Sequence, residues 1–486
     1  MSTGDSGEYY SRRIGMSKYH HAICINPYYE ESSGAMGFFP PTGLEYIASA
    51  LSTCVPRVTI ADLRHDSAFR SGSSLNDFIR SEGVDFIALS VNWEFKFDEA
   101  LDLVSSLPSE VYTIVGGQEA SVRVDEIMNR CQNVDCVGRG EGEEIVIELA
   151  SGKPLTEITG LSHRLNGSVV HNENRTVGQM ENLPQRDRSL RRVTYGIKRY
   201  GVKFVSGELD TVMSSRGCPF NCKFCSFNRN PLGKKRDYEE RLVKSVFREI
   251  QSLEADLIFF VDDNFFVNPK RVEKLCDLLI ENGVKKRLLA QARPDIARYP
   301  VLLEKMKQAG FKILLLGIES AHDWILKDLN KGYTTAQLRE YFDVLRKYDI
   351  YYHGYFIIGN IGETEEEMLE IPRFADELGL DSISYLKLRA LRFTAIKDIV
   401  ETTPGYYTTS RGFVYSDRFS MEDLRQIGKK IRHEFYTPKR FTKALRKLVR
   451  IKFAARRDLA ALLFRGPLAH YNRRRQKRSK DKEAGS

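Results

Sequence analysis

No stretch of this 486-residue chain approaches 18 uninterrupted apolar residues, which excludes a transmembrane helix of ordinary length. The opening MSTGDSGEYYSRRIG has no apolar core, so it is not a secretory signal, and residues 1–18 read as a flexible start. Cysteine is scarce, with eight in all. Without an export signal these thiols are expected to be free, metal-bound or catalytic in a cytoplasmic protein, not paired in disulfides. The length gives room for about three domains and for cores that need no covalent staples. With 42% hydrophobic and 29% charged residues, wholesale disorder is excluded as well.

Charge is unevenly placed. The chain carries +9, but residues 437–486 hold 17 Lys/Arg against Asp458, Asp481 and Glu483, a net of +14 that leaves −5 for the rest. In this basic tail Phe441, Leu445, Leu448 and Val449 recur at helical spacing among Lys443, Arg446, Lys447 and Arg450. Leu459, Leu462, Leu463 and Phe464 follow before Gly466-Pro467 stops any helix. A basic amphipathic helix suits an anionic membrane surface, and the run Arg473-Arg474-Arg475-Gln476-Lys477-Arg478 suits a polyanion such as nucleic acid. A helix packed on the body with a solubilising end is the third reading.

From Tyr19 to Gly152 short apolar runs alternate with amphipathic stretches. Strands are expected at Ala22–Asn26, Val58–Asp62, Phe86–Val91, Tyr112–Val115 and Val134–Val137. Helices are expected at Gly43–Ser52, Leu75–Ser81, Lys96–Ser106, Val122–Arg130 and Glu143–Ala150. This rhythm implies a parallel, Rossmann-like sheet covered on both faces, with ligands bound beyond the carboxyl ends of the strands. Those ends carry Asn26-Pro27-Tyr28-Tyr29, Ser90-Val91-Asn92-Trp93, Gly116-Gly117-Gln118-Glu119-Ala120-Ser121 and Gly138-Arg139-Gly140-Glu141.

Ser215-Arg216-Gly217-Cys218-Pro219-Phe220-Asn221-Cys222-Lys223-Phe224-Cys225 concentrates three thiols at C-x3-C-x2-C spacing. Three thiolates on one compact loop can hold a [4Fe–4S] cluster and leave one iron open to substrate. Closed structural zinc takes four ligands, and no neighbouring His or Cys completes that set. Cys24, Cys136 and Cys276 fall in expected strands or a helix, where a thiol behaves as a small apolar residue; Cys54 and Cys131 have no partner spacing. Six strands are expected around and after the loop: Thr211–Ser214, Leu257–Val261, Leu288–Ala290, Ile313–Leu316, Tyr355–Ile358 and Ile383–Leu386. Helices lie between them, among them Tyr238–Ser252, Lys270–Asn282 and Thr335–Lys347. In such barrels chemistry sits at the carboxyl ends of the strands, which here carry Asp262-Asp263-Asn264, Arg293-Pro294-Asp295, Gly317-Ile318-Glu319-Ser320 and Ile358-Gly359 before Gly362-Glu363-Thr364. Tyr351, Tyr352 and Tyr385 are candidates for the substrate side, against a plain core role.

The cysteine motif, with Phe224 before its third Cys, resembles that of the radical S-adenosylmethionine (SAM) superfamily. The proline pair Pro40-Pro41, the Gly116–Ser121 turn and the Gly138–Glu141 turn resemble the cobalamin-binding (B12-binding) domain found at the N-terminus of many such enzymes. Together they cover roughly residues 20–390. The resemblance implies an α/β chain: a flexible N-terminus (1–18), a Rossmann-like cobalamin-binding domain (19–152), a connector (153–207) and a partial (β/α)6 radical SAM barrel (208–395). A substrate-side region (396–436) and a helical basic C-terminal tail (437–486) complete it.

It also implies roles. Cys218, Cys222 and Cys225 would ligate the cluster. Phe224, Asp262, Asp263, Asn264, Arg293, Gly317, Glu319, Ser320, Ile358 and Gly359 would contact SAM. Ser90, Gly116, Gly117, Ser121, Gly140 and Glu141 would contact cobalamin. One departure stands out: cobalamin carriers that ligate cobalt use a His in a D-x-H-x-x-G turn, and Asp62-Leu63-Arg64-His65-Asp66 has the wrong spacing. Cobalamin would then bind without a protein His, or the domain would be degenerate.

The implied reaction is C-methylation of a small or lipid-like molecule. SAM cleavage at the reduced cluster generates a 5′-deoxyadenosyl radical, methylcobalamin supplies the methyl group, and a flavodoxin or ferredoxin supplies electrons. Ring formation or oxidation on the same architecture is the first alternative. An RNA-modifying methylthiotransferase is the second, although it would bring three more clustered cysteines near its N-terminus. Nucleic acid is therefore not an expected partner, and peripheral membrane contact through the tail is.

Overall fold

The computed structural model describes residues 17–28, 39–69, 72–176, 179–199, 202–203, 205–227 and 229–460. Residues 1–16 of the start expected at 1–18, most of the loop after Asn26, and the tail features at Leu462–Phe464 and Arg473–Arg478 lie outside the described residues. The chain forms two compact units: Met1–Thr194 with Arg229–Glu240, and Tyr195–Asn228 with Arg241–Ser486. Among the described residues no helix is long and apolar enough to cross a membrane.

The first unit is built on a seven-stranded sheet. Its strands are β1 (His21–Asn26), β2 (Arg57–Asp62), β3 (Phe86–Ser90), β4 (Tyr112–Gly116), β5 (Cys136–Gly138), β6 (Leu161–Leu165) and β7 (Ser168–His171), in the order β2-β1-β3-β4-β5-β6-β7. The first five are parallel. Helices α1 (Thr42–Leu51), α2 (Gly72–Ser81), α3 (Phe97–Ser105), α4 (Val124–Arg130) and α5 (Glu143–Ala150) cover it.

Alternation along β1 explains the two layers. Ala22 and Cys24 join Leu44, Ala48, Ile145 and Leu149 of α1 and α5, while Ile23 and Ile25 join Leu75, Leu101, Val104 and Ile127 of α2, α3 and α4. Strand order reverses between β1 and β3, so the loops after them part and open a crevice there. The connector does not fold separately. Its hairpin turns at Asn166-Gly167, where both residues have positive φ, and β6 extends the sheet antiparallel to β5.

A buried carboxylate ties the connector to α1. Glu45 receives Arg186 Nη1 at 2.9 Å and Arg191 Nε at 2.6 Å and Nη2 at 2.9 Å. The Glu45 and Arg186 side chains are 1% and 0% exposed.

The second unit is a six-stranded parallel sheet in sequence order: β8 (Leu209–Val212), β9 (Leu257–Phe260), β10 (Arg287–Ala292), β11 (Phe311–Glu319), β12 (Tyr351–Ile358) and β13 (Ser382–Lys387). Its covering helices include α6 (Val243–Ser252), α7 (Pro269–Glu281), α8 (Pro300–Ala309), α9 (Asp323–Asp328), α10 (Thr335–Leu345), α11 (Glu365–Leu369) and α12 (Ile371–Leu378). This is the partial (β/α)6 barrel. Its outer core gathers Leu288, Ala290, Leu314, Leu316, Tyr352, Phe356 and Ile383 with Val246, Leu275, Leu303 and Phe342 of the helices. The helix expected from Tyr238 begins at Val243, because Arg229–Glu240 belongs to the first unit.

Beyond β13, α13 (Ala395–Thr402), the hairpin β14 (Tyr406–Thr408) and β15 (Val414–Ser416), α14 (Met421–Phe435) and α15 (Pro438–Arg450) follow. The first part of the basic tail is packed structure. Arg440, Lys447 and Arg450 of α15 pair with Asp376, Asp381 and Asp349. The chain then closes the barrel floor: Arg287 donates to Phe453 O at 2.6 Å and Ser206 O at 2.5 Å, and Ser206 Oγ donates to Asp458 Oδ2 at 2.7 Å.

Truncating Glu45 to Ala would leave two guanidinium groups facing an apolar helix. The expected cost is about 3–5 kcal/mol, against less than about 1 kcal/mol for Arg57→Ala, whose ion pair with Glu82 has side chains 56% and 36% exposed. Urea unfolding of both variants, read at the first unit's transition, checks this ranking.

Candidate active site

The three thiols lie on the loop that leaves β8. Asp262, just past β9 and 1% exposed, is committed to that loop. Its Oδ1 accepts Ser214 N at 2.9 Å and Ser215 Oγ at 2.7 Å, Ser215 N donates to the same oxygen, and Oδ2 accepts Ser214 Oγ at 3.0 Å. Burial pushes the Asp262 pKa up, while the serine hydroxyls and the Arg271 charge pull the other way. Arg271 Nη2 also donates to Ser214 O at 2.6 Å. Asp263 Oδ2 accepts Gly217 N at 2.8 Å, at a residue with φ of 80°, and Asn264 Oδ1 accepts Phe266 N at 3.2 Å. The acids expected to meet SAM thus hold the backbone that presents the thiols.

The other side of the loop is also tied. Lys223 N donates to Leu329 O at 3.1 Å, Asn330 Nδ2 to Asn221 O at 2.8 Å, and Ile396 N to Lys223 O at 3.1 Å. Phe224 packs on the apolar group of Ile325, Leu329, Ile357 and Leu388, which explains an aromatic before the third Cys. Cys218, Cys222 and Cys225 are free and partly exposed. Burial raises the Cys218 thiol and pushes Cys225 up to about 12, and the Cys222 sulfur nearby raises both further. Bound iron would reverse this by stabilising the thiolates. No group of three or more His, Cys, Asp or Glu among the described residues is placed for a single metal ion. Three mutually interacting thiols on a fixed loop suit a cluster, whose irons lie apart.

At the mouth of the barrel sits a buried ion pair whose cation the motif reading missed. Lys331 Nζ lies 2.9 Å from Glu319 Oε1, with side chains 7% and 8% exposed. Burial opposes the ammonium, yet Glu319, Tyr333 and Cys222 hold Lys331 above its ordinary pKa. Glu319 itself has φ of 70°, a strained backbone for a non-glycine residue. Gly317 leaves room for the pair, since a Cβ there would sit 2.5 Å from Glu319 Oε1 and 3.1 Å from Lys331 Nζ. Arg293 donates to Lys331 O at 2.8 Å and to Asp295 at 3.2 Å, and its guanidinium lies 3.9 Å from the Phe220 ring centre. Ser320 Oγ accepts His322 N at 3.2 Å. The signal that could have revealed Lys331 is Lys331-Gly332-Tyr333, twelve residues beyond Glu319.

After β12, Gly359 and Gly362 take φ of 75° and 83°. Glu363 turns back to accept Asn360 N at 2.9 Å, and Thr364 caps α11 with Glu367. Ile358 lies in the outer core. Of the three tyrosines, Tyr352 donates its hydroxyl to Leu345 O at 2.8 Å on the helix side. Tyr385 packs under Gly428, where a Cβ would meet its ring at 2.4 Å. Tyr351 alone shares the inner face of β12 with His353 and Tyr355.

In the first unit, the expected cobalamin residues gather at the carboxyl ends of β3, β4 and β5. A Cβ on Gly117 (φ 110°) would lie 2.6 Å from Val91 O and 2.7 Å from Asn92 Oδ1, so only glycine fits. Asn92 Oδ1 accepts Gln118 N at 2.9 Å and its Nδ2 donates to Ser90 Oγ at 2.6 Å. Ser121 Oγ accepts Gly140 N at 3.0 Å and donates to Gly117 O at 2.8 Å, joining the two glycine turns. Glu141 pairs with Arg236. Tyr28 receives Asn92 N at 2.8 Å and stacks on Trp93 at 4.2 Å. A glycine-lined, aromatic-flanked cradle with no His ligand fits a corrinoid held by its edges. Asn92, Tyr28 and Arg236 carry roles that motif reading did not assign.

The chain matches the Radical SAM superfamily over residues 212–375 and the B12 binding domain over residues 35–150. An uncharacterized methyltransferase of Pyrococcus horikoshii is 28% identical over 415 residues, spanning 82% of this chain and 88% of that protein. An anaerobic magnesium-protoporphyrin IX monomethyl ester cyclase of Cereibacter sphaeroides is 25% identical over 369 residues, 73% of this chain and 59% of that one. In fold, the chain is similar to the radical SAM methyltransferase TsrM of Kitasatospora setae, solved with cobalamin and a [4Fe–4S] cluster. The TM-score is 0.67 at 15% identity, over 87% of this chain and 90% of the other.

Glu363 supplies a pH test of the turn after β12. Burial raises its pKa to about 7 from 4.5. A raised carboxyl is favoured neutral in the fold, so its stability contribution is full below the unfolded pKa and is lost as pH rises through the folded one. Glu363→Gln is therefore expected to gain melting temperature relative to the parent as pH goes from about 5 to 8, and calorimetry across that range reads it.

Proposed function

Because the chain belongs to the radical SAM proteins that carry a B12 binding domain, we propose that it is a cobalamin-dependent radical SAM C-methyltransferase acting on a small-molecule or lipid-like substrate. The observation that carries this reading is the three-thiol loop held between Asp262–Asp263 and Leu329–Asn330, beside the buried Glu319–Lys331 pair. When bound, the cluster and cobalamin supply the electron that opens SAM and the methyl group that is transferred.

The chain's own part is placement. Asp262, Asp263 and Arg271 hold the backbone of the loop that carries the thiols. The Phe224 ring and the apolar group beneath it keep water from one side of the loop. The Lys331 ammonium, fixed by Glu319, and the Arg293 guanidinium, paired with Asp295, put charged hydrogen-bond donors near the thiols that suit a cosubstrate carboxylate. Candidate SAM contacts are Phe224, Asp263, Asn264, Arg293, Gly317, Glu319, Ser320 and Gly359. Asp262 and Ile358 serve behind them. Ser90, Gly116, Gly117, Ser121, Gly140 and Glu141 are the candidate cobalamin contacts. A flavodoxin or ferredoxin is the proposed electron donor.

Ring formation stays the second reading on the cyclase similarity and is not favoured over methyl transfer, since the chain spans more of a methyltransferase. The methylthiotransferase reading loses ground. Cys24 and Cys136 are buried thiols in strands, with Cys136 pushed up to about 12 by burial, so they are poor cluster ligands.

Replacing Cys218, Cys222 and Cys225 with Ala is expected to remove the roughly four irons per chain of a reconstituted cluster and to abolish SAM cleavage, with cobalamin retained after desalting. Cleavage that survives the triple change would refute the cluster assignment. Iron without cobalamin in the parent protein would favour ring formation.

The tail extends the proposal to the cell periphery. With Arg440, Lys447 and Arg450 turned to the body, α15 leaves Lys439, Phe441, Lys443 and Arg446 exposed. A face of this kind suits the headgroups of an anionic membrane in the cytoplasm. Charge reversal at Lys439, Lys443 and Arg446 is expected to weaken co-sedimentation with phosphatidylglycerol vesicles at least about ten-fold. Equal binding by the variant, or equal binding to phosphatidylcholine vesicles, removes the membrane role.

A further inference from the structure

The inner face of the barrel has a chemistry that the cofactor loops do not use. Along β10 to β12 the core residues facing the helices are buried, and so is Ile383 of β13, while Gln291, Leu315, His353, Tyr355, Ser382 and Ser384 on the opposite face are partly exposed. Strands in the middle of a sheet, covered by helices on one side, keep accessible side chains on the other side only if the barrel interior is open. The register puts Leu315 beside His353, Gly317 beside Tyr355, His353 beside Ser382 and Tyr355 beside Ser384, so these groups share one surface. Below them the floor is closed by Arg287 against the carbonyls of Ser206 and Phe453.

Two properties of that surface constrain what it holds. First, above the floor, where Arg287 lies and Lys312 meets Lys452 and Asp349, no charged side chain lies on the inner faces of β10–β13 until Glu319 at the mouth, where Lys331 neutralises the carboxylate at 2.9 Å. Burial also drives the His353 pKa down to about 4, so its imidazole is neutral near pH 7. Second, three neutral polar groups have nothing to bond. The Gln291 amide, the Tyr355 phenol and the Ser384 hydroxyl have no hydrogen-bond partner among the described residues, whereas the His353 ring is anchored to Ser382 Oγ at 2.7 Å and edge-on to Tyr355 at 4.8 Å. The walls between them are apolar: Phe259, Leu289, Ile313 and Leu315. At the carboxyl end of the edge strand Leu386 is 58% exposed, and Phe393 beyond it is 36% exposed with φ of 65°. A bulky residue held in that conformation is strained, and such strain gathers at binding sites.

We propose that the interior between β10 and β13 binds the reacting part of an uncharged, largely apolar substrate through a hydroxyl, carbonyl or amide held by Gln291, Tyr355 and Ser384. A charged group carried to this depth would lose its hydration with no counter-charge to replace it, which selects against carboxylates and ammonium ions. Unpartnered neutral donors and acceptors reward a polar neutral group, and a ligand lacking one leaves them unpaired. Leu386 and Phe393 offer an apolar exit for the remainder of the molecule. The inference rests on the reading of this barrel as the substrate-bearing half of the enzyme, but its test does not depend on methyl transfer.

The probes are radiolabelled decan-1-ol and decanoate, equal in chain length and different in charge. Equilibrium dialysis against the cluster- and cobalamin-loaded protein, saturated with SAM and without reductant so that the carboxylate site at the mouth is filled, is expected to give binding of the alcohol at least about ten-fold tighter than of the carboxylate. Tyr355→Phe with Ser384→Ala is expected to weaken the alcohol several-fold while leaving decane binding unchanged, which a general loosening of the fold would not do. Leu315→Trp, or Ser384→Trp should the first fail to fold, is expected to abolish binding of both alcohol and alkane, with iron content and melting temperature as folding controls. Decanoate binding as tightly as decan-1-ol overturns the proposal, and so does undiminished alcohol binding by a folded filled-cavity variant. If the alcohol binds as expected but no methyl group reaches any substrate, the reaction class fails and the cavity assignment stands.

Discussion

The buried carboxylate of Asp262 is the contact on which the cysteine loop depends. A strand that ends in a loop exposes backbone N–H groups, and here the loop must also run in a fixed direction to bring three thiols together. Ser214 and Ser215 solve both needs by aiming their N–H and hydroxyl groups at one carboxylate. Arg271 offsets part of the cost of burying that charge and holds Ser214 O as well. Asp263 repeats the device one residue on, at Gly217. A carboxylate with several donors resists displacement far more than a single hydrogen bond does, so the geometry of the thiols is inherited from the neighbouring strand end.

The same logic of paired burial recurs at the mouth of the barrel. Burial opposes the Lys331 ammonium, the Glu319 carboxylate beside it holds it charged, and together they place a fixed charge pair within reach of the cysteine loop. The strained Glu319 backbone and the glycine at 317 are the local consequences of fitting that pair between two strands. Arg293 is drawn in by Lys331 O and by the Phe220 face. Paired charges therefore gather at the mouth, while the strand faces beneath it are neutral. A polar cosubstrate and an apolar substrate would meet at that boundary.

In the first unit, order comes from backbone interlock more than from charge. Gly117, Asn92 and Ser121 close three loop ends on one another, each contact requiring a small residue or a specific amide. Tyr28 and Trp93 then flank the crevice where strand order reverses. Such an arrangement presents backbone and small side chains to a bulky ligand, with rigidity supplied by hydrogen bonds that the ligand need not break.

Much of this was legible in the chain itself. The period-2 runs of β1 and β3, the C-x3-C-x2-C spacing and the glycine turns are local patterns, and local backbone chemistry decides them; strand positions and the cysteine loop followed directly. The roles of side chains beyond the motif did not. Asp262 reads as a ligand contact because it ends a strand, yet its oxygens are consumed by serines 47 and 48 residues away. Tyr352 and Tyr385 look like Tyr351 in sequence, but alternation along the strands and the helices packed outside them put two of the three on the wrong face for a substrate. Lys331, Gln291 and Ser384 carry no motif at all. Their significance arises because parallel strands distant in sequence set them around one interior, and only the tertiary fold decides which polar groups find a partner there and which are left facing an open space.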